Sequence, residues 1–238
     1  MTQSVKVESL DKLLSNTHNL IENINYLVYN KLCLYGEIND IRLKSFFAYS
    51  DISLEHGNSI RILIENRQLN SAIALLRLQY ESLVRSVWIY YIASDNFIAQ
   101  LNQELSEEYR KLDNKMPTIN EILDKIDEYA DNVKLPKKIS VLLREFKNNL
   151  LKYLHSHIHS GTLAFSREQT GYPVILIMQI LQNSNGLVHF MNMLIATILE
   201  DNELLIQLLQ LSYKYRDCFP MTVEDIIKKS STEQNITH

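Results

Sequence analysis

Arginine and glutamate alternate at intervals of four residues in one otherwise apolar stretch, at Arg77, Glu81 and Arg85. Steps of four drift by only about 40° around a helix, so the three side chains should form a row on one face. Glu81 ahead of Arg85 is the favoured order for an ion pair, and Arg77 ahead of Glu81 is the weaker order. Two guanidinium groups oriented by a carboxylate suit a phosphate or carboxylate ligand. The same row could form a salt-bridged seam between two helices, so both interpretations stay open.

Three histidines follow later in the chain, within the sequence LKYLHSHIHSG. Helical spacing places His155 and His159 on the polar side of this segment together with Lys152, so the two imidazoles could reach one ligand. His157 falls in the apolar arc, where a histidine is most often a hydrogen-bonded core residue. The sequence therefore predicts that His155 and His159, rather than His157, take part in chemistry.

Two kinds of chemistry suit this pair of histidines. Histidines at i and i+4 are half of a zinc site, with Glu81 of another helix as a third ligand. No glutamate follows the first histidine in the manner of a metalloprotease. Alternatively, an imidazole beside cations suits acid/base cleavage of RNA, since it can move the 2′-hydroxyl proton while the cations stabilise the charged transition state. The second interpretation needs no metal and no cofactor.

The stretch 70–94 must position the charged row, and it reads as a helix that is buried on most sides. Its apolar residues share one narrow face: Ile73, Leu76, Tyr80, Leu83, Val84, Val87 and Tyr91. Arg77, Glu81, Arg85 and Trp88 form a second stripe beside that face. Unpaired charges on so apolar a helix would cost several kcal/mol, roughly, so they must be paired or must line a cleft.

Further helices are predicted at 5–31, 41–49, 52–66, 96–112, 118–131, 137–157, 174–182, 186–213 (interrupted at 200–203) and 222–229. Thr118 followed by Glu121 is the signature of a capping box. Asn70 or Ser71 is expected to cap the helix that carries the charged row. The segment 161–173 is expected to be irregular.

The chain has only five glycines and four prolines among 238 residues, which favours long helices over a turn-rich β fold. Ser50 and Asp51 are expected to form a turn or a helix cap between the predicted helices 41–49 and 52–66. We predict an all-α fold, a single up-and-down bundle of about seven to nine helices over residues 1–229, HEPN-like in the sense given below, and a disordered tail at 230–238.

Bulk properties exclude several classes of protein. A net charge of −4 argues against a protein whose main task is non-specific binding to duplex nucleic acid. Cys33 and Cys218 match neither a zinc spacing nor a disulfide framework, which favours a reducing compartment. The N-terminus lacks the pattern of a signal peptide, and the longest near-apolar run, 187–199, is too short to span a bilayer. We expect a cytoplasmic protein with no membrane partner.

The stretch ALLRLQYESLVRSVWI, followed later by HIHSG, resembles a group of uncharacterised bacterial all-helical proteins. Their shared pattern is Arg-x3-Glu-x3-Arg-x2-Trp on one helix and Ser/Thr-His-Ser/Thr-Gly at the end of another, and the resemblance covers about residues 71–199. The matching positions here are Arg77, Glu81, Arg85, Trp88, His159, Ser160 and Gly161.

That group distantly resembles the HEPN superfamily of helical bundles, many of which are dimeric ribonucleases of toxin–antitoxin and anti-phage systems. In the HEPN signature four to six residues separate an arginine from a following histidine. Here Lys152 stands in place of that arginine, with four residues between it and His157 and six between it and His159. The resemblance implies an RNA substrate, a protein partner or antitoxin, and a homo-oligomer.

The leading hypothesis is therefore a HEPN-like toxin or anti-phage protein that cleaves RNA without a metal. His159 would be the general acid/base with His155 or Lys152 as an auxiliary. Arg85 and Arg77 would contact phosphate, and Glu81 would orient them. The alternative is a non-catalytic helical interaction or regulatory module in which the same residues form buried structural networks.

Overall fold

A computed structural model describes residues 3–104, 115–132, 137–148 and 161–220 of the chain. This part contains nine α-helices and no strand, which confirms the predicted all-α class and helix number. The elements are α1 (Gln3–Tyr35), α2 (Ile41–Glu65), α3 (Leu69–Tyr91), α4 (Asp95–Leu101), α5 (Ile119–Asp131), α6 (Lys137–Phe146), α7 (Thr162–Thr170), α8 (Val174–Ile198), α9 (Asn202–Lys214) and a 3-10 turn at Arg216–Cys218. No helix within these ranges has both the length and the apolar character needed to cross a bilayer.

The chain divides into two compact units. One unit comprises Met1–Val28 and Pro173–His238, and the other comprises Tyr29–Tyr172. The single bundle over 1–229 stays a prediction. The expected helix 222–229 and the expected disordered tail 230–238 both lie outside the described residues.

Helix α3 is the buried centre of the second unit, where it packs against α2 and α5. Six of the seven residues on its predicted apolar face are fully buried: Ile73, Leu76, Tyr80, Leu83, Val84 and Val87. Tyr91 is the exception and is half-buried at the end of the helix. Ala72 and Ile89 are also fully buried, so α3 is enclosed on most sides as the sequence indicates.

Two local predictions around α2 and α3 are wrong. No turn occurs at Ser50 and Asp51, because the buried Ser50 hydroxyl donates to the Phe46 carbonyl within one continuous helix. Asn70 does not cap α3, and neither does Ser71, because the helix begins at Leu69 after Gln68, which has no capping bond.

The prediction for the second half of the chain also needs correction. A helix, α7, occupies most of the segment that was expected to be irregular. Glycines with positive φ bracket it, with φ 64° at Gly161 and φ 80° at Gly171. The expected segments 174–182 and 186–198 form one helix, α8, whereas the predicted interruption near 200 separates α8 from α9. The predicted helix 96–112 corresponds to α4, which ends at Leu101. Residues 105–112 lie outside the described residues.

The predicted capping box at the start of α5 is confirmed. The Thr118 hydroxyl accepts from the Glu121 amide at 3.3 Å, and the Glu121 carboxylate accepts from the Thr118 amide at 2.7 Å. The bonds from Thr118 lower the pKa of Glu121, because they favour its ionised form. This cap fixes the start of a helix that packs beside α3.

Arg42 of α2 closes the C-terminal end of α3. Its guanidinium donates to the carbonyls of Ile89 at 2.7 Å and Ala93 at 2.8 Å, and to the Asp95 carboxylate at 2.6 Å. The last carbonyls of a helix have no partner within the helix, so these bonds supply one. Arg42 thereby ties α2 to the junction of α3 and α4.

We expect Arg42→Ala to lower the free energy of unfolding by about 2–3 kcal/mol, because a charged donor is lost from several carbonyls at once. Asp95→Ala is the matched control. Its side chain is 98% exposed, so we expect a loss of at most about 1 kcal/mol. Urea unfolding measures both, and equal losses in the two variants would contradict the interpretation of Arg42 as a helix cap.

The first unit contains a buried polar network that joins three distant segments. The Asn185 amide donates to the Thr17 hydroxyl at 2.8 Å and to the Cys218 carbonyl at 3.0 Å. All three residues are buried, and burial raises the pKa of the Cys218 thiol to about 11. Cys218 is therefore a packed, unreactive thiol, and it forms no disulfide.

His189 of α8 makes the stability of this unit depend on pH. Its ring lies 5.3 Å from that of Phe219, and its Nδ1 is buried without a hydrogen-bond partner among the described residues. Burial lowers the pKa of His189 from 6.5 to about 4, because the charged imidazole would lose its hydration. The unfolded chain therefore binds this proton at a higher pH than the folded chain does.

The stabilising effect of neutral His189 should be complete above pH 6.5 and should be lost as the pH falls towards 4. We expect the melting temperature of the wild type to fall more steeply across this window than that of His189→Phe, in which the titrating group is absent. Calorimetry at several pH values measures the difference. Parallel curves would show that His189 does not govern this acid sensitivity.

Candidate functional site

The charged row of α3 is a branched ion pair centred on Glu81. Arg77 Nε donates to Glu81 Oε1 at 2.7 Å, and Arg85 Nη1 donates to Glu81 Oε2 at 3.2 Å. Each oxygen of the carboxylate thus holds one arginine, from the turn before and the turn after. Both pairs lie within a single helix, as the spacing predicts, and they hold the two guanidinium groups on one carboxylate.

The exposure of these side chains is graded. The Glu81 side chain is only 14% exposed, whereas Arg85 is 23% and Arg77 is 33% exposed. The carboxylate is therefore largely enclosed, and the cationic groups reach partway into solvent. Since two arginines share one glutamate, the row keeps a formal charge of +1, which is the electrostatic requirement for an anion site.

Tyr80, the neighbour of Glu81, fastens α6 to α3. Its hydroxyl donates to the Leu143 carbonyl at 2.8 Å, and the residue is fully buried. Burial raises the pKa of the Tyr80 phenol far above its usual value, so it remains a donor at any physiological pH. The sequence indicated that Tyr80 packs in the core, but nothing in the spacing revealed its bond to α6.

A second charged cluster joins α5 and α6 beside Tyr80. Arg144 Nε donates to Asp127 Oδ2 at 2.7 Å, Arg144 also pairs with Asp124, and the Ser140 hydroxyl donates to Asp127. Arg144 and Asp127 are both close enough to influence the Tyr80 phenol. Sequence analysis missed this cluster because its partners lie on different helices, although Asp124 and Asp127 at i and i+3 were a visible signal.

Residues in α7 and just after it contact the beginning of α3. Asn70 donates to the Glu168 carboxylate at 2.8 Å and accepts from the Tyr172 hydroxyl. Asn70 and Tyr80 lie about 15 Å apart along the axis of α3, with Arg77 between them. The described segments that precede and follow residues 149–160 therefore both contact α3, one at Tyr80 beside Glu81 and one at Asn70, about 10 Å before Arg77.

His155, His157, His159 and Lys152 lie outside the described residues. Their predicted roles, including the zinc alternative with Glu81, stay predictions. Within the described ranges, no three or more histidine, cysteine, aspartate or glutamate side chains are grouped so that they could hold a metal ion. Of the predicted site residues, the structure places Arg77, Glu81 and Arg85, and it brings these three together.

Trp88 continues the row by one further turn of α3. The residue is 5% exposed, and its indole packs edge-on against the ring of Phe97, with 5.1 Å between ring centroids. Its Nε1 is buried and has no hydrogen-bond partner among the described residues. The sequence placed Trp88 on the charged face but gave no sign that its donor would be left unpaired.

The comparisons with known proteins give one match. Residues 50–221 match a protein family described as a family of unknown function, DUF6988. No curated protein and no solved structure matches the chain. The matched range contains all of α3, the α5–α6 cluster and the histidine-rich sequence, and it confirms the prediction that the chain falls in an uncharacterised family.

Proposed function

We propose that this chain, which belongs to the DUF6988 family, binds RNA through Arg77 and Arg85 and cleaves it without a metal, as a toxin or phage-defence ribonuclease of HEPN type. One observation carries the proposal. Two partly exposed guanidinium groups converge on the largely enclosed carboxylate of Glu81. The row thus presents a net positive charge on an otherwise apolar helix.

The geometry suits a phosphodiester better than a neutral ligand. A guanidinium has five N–H donors in a planar fork, and the contact to Glu81 uses only part of the fork of Arg85. Its remaining donors can bind the oxygens of a phosphate. Because Glu81 already orients both arginine side chains through hydrogen bonds, these side chains lose little conformational entropy when a ligand binds.

The proposed reaction is transesterification within the RNA. His159, acting as base, removes the 2′-hydroxyl proton, and the 2′-oxygen attacks the adjacent phosphorus. The bond to the 5′-oxygen breaks as His155 or Lys152 supplies a proton to it, which yields a 2′,3′-cyclic phosphate and a 5′-hydroxyl end. Arg77 and Arg85 stabilise the added negative charge of the phosphorane-like transition state. These histidine and lysine roles come from the sequence.

The chain path supports the meeting of these groups. The described helix that precedes the histidines is held to α3 beside Glu81 through Tyr80 and Leu143. The described helix that follows them is held to the start of α3 through Glu168 and Asn70. Both described helices that flank the histidines in sequence thus contact α3, which supports the proposal that an imidazole reaches the charged row.

The test is cleavage of RNA by purified protein in the presence of a chelator, with wild type compared with His159→Ala. We expect cyclic-phosphate products from the wild type and a loss of at least about 100-fold in His159→Ala. His18→Ala, which removes an exposed histidine of α1, is the control and should cleave like the wild type. Absence of cleavage by the wild type, or equal cleavage by all three proteins, would exclude the proposed reaction.

A second function, a non-catalytic helical interaction module, is favoured by the charge balance of the wider region. The three arginines (Arg77, Arg85 and Arg144) and the three carboxylates (Glu81, Asp124 and Asp127) all form ion pairs, and together they have no net charge. Such a balanced network could serve only to hold α3, α5 and α6 together. This alternative predicts that Arg85→Ala reduces stability and that no RNA is bound.

A further inference from the structure

The indole N–H of Trp88 is a buried donor that the folded chain leaves without an acceptor. Trp88 is 5% exposed, and no described residue accepts a hydrogen bond from its Nε1. Buried polar groups in folded proteins are nearly always paired, and each exception calls for an explanation such as a ligand, an ion or a water. The location of Trp88 on α3 indicates whether a ligand, an ion or a water is the missing acceptor.

Trp88 lies on the same face of α3 as the charged row. Residues three apart on a helix are neighbours, which places Trp88 beside Arg85. Long helical side chains lean towards the N-terminus of their helix, so the indole should lie over the turn that carries Arg85. Phe97 of α4 packs against the ring.

The chemistry of this region specifies the missing partner. Tryptophan and arginine side chains carry donors only, whereas the one acceptor of the row, Glu81, already receives a bond from each arginine. Within the row, no acceptor pairs with Trp88 Nε1. A ligand that binds this N–H and the partly exposed guanidinium of Arg85 must supply oxygen acceptors and negative charge, as a phosphodiester does.

We propose that Trp88 is a ligand-binding residue of this site, whose Nε1 donates to an oxygen of the RNA phosphodiester held by Arg85. The inference rests on the proposed function and extends the site by one turn. Arg85 makes the longer of the two bonds to Glu81, 3.2 Å against 2.7 Å, and it is the arginine next to Trp88 on the helix. Because Nε1 is buried in the free protein, binding requires the side chains around it to open towards the ligand.

The chain offers a direct probe, because Trp88 is its single tryptophan. We expect titration with a short 2′-O-methyl RNA, which can bind but cannot be cleaved, to change the intrinsic fluorescence of the wild type. Binding measured by fluorescence anisotropy of a labelled copy of the same RNA should be about tenfold weaker for Trp88→Phe. Replacement of the tryptophan by benzothienylalanine, which keeps the ring shape but lacks the N–H, should weaken binding equally.

The outcomes separate this inference from the proposed function. If the wild type binds the RNA and both replacements bind it equally well, the indole N–H serves packing or a water, and only the inference is overturned. If the wild type neither binds the RNA nor changes its emission, both proposals fail. Weaker binding by the benzothienylalanine protein supports the inference if its melting temperature is unchanged, because an unchanged melting temperature excludes a packing defect as the cause.

Discussion

Arg85→Ala should lower the rate of RNA cleavage by about 10²–10³-fold, the loss that follows when one preorganised donor is removed from a developing oxyanion. The substitution removes the 3.2 Å bond to Glu81 and reduces the charge of the row from +1 to zero. The effect should fall mainly on the maximal rate, because the guanidinium is needed most when negative charge builds up on phosphorus.

The matched control is Arg61→Ala on α2. Arg61 donates to Glu65 at 2.7 Å at the same i,i+4 spacing, so this variant also loses an ion pair within a helix. We expect it to cleave RNA like the wild type. Both variants should unfold within about 1 kcal/mol of the wild type, because the pairs are partly exposed. Equal rates for Arg85→Ala and Arg61→Ala would rule out a phosphate contact by Arg85.

The part of this site that the sequence predicted is the part contained in one helix. The spacing of Arg77, Glu81 and Arg85 fixes their relative positions once the segment is helical, and the apolar face of α3 follows from the same period. The bond from Tyr80 to Leu143 and the pairing of Arg144 with Asp127 depend on how separate helices pack. No spacing along the chain encodes such contacts.

The wrong predictions at Ser50 and Asn70 have a common physical cause: the same side chain can form either a local capping bond or another hydrogen bond. Ser50 can cap a helix, but inside a long apolar helix its hydroxyl bonds to the Phe46 carbonyl instead. Asn70 can also cap, but Glu168 and Tyr172 occupy its amide. In each case a tertiary or intrahelical partner outweighs the local preference that the sequence shows.

Glu81→Gln should lower the free energy of unfolding by about 2 kcal/mol in chloride buffer. The loss lies between the values for exposed and buried pairs, since the carboxylate is 14% exposed and its partners are partly solvated. The amide keeps the size of glutamate but leaves two converging guanidinium groups with no negative charge between them. Equilibrium urea unfolding measures this loss.

Inorganic phosphate should restore more than half of that loss at equal ionic strength, because an anion bound between Arg77 and Arg85 stabilises the folded state by mass action. The wild type should gain less than Glu81→Gln, since its Glu81 carboxylate already neutralises part of the charge of the two arginines and so weakens their binding of phosphate. Glu65→Gln is the matched control, because Glu65 is 37% exposed and pairs with Arg61 on α2. If phosphate stabilises all three proteins equally, the gain is the general effect of an excluded salt, and the row on α3 is a structural ion pair without an anion site.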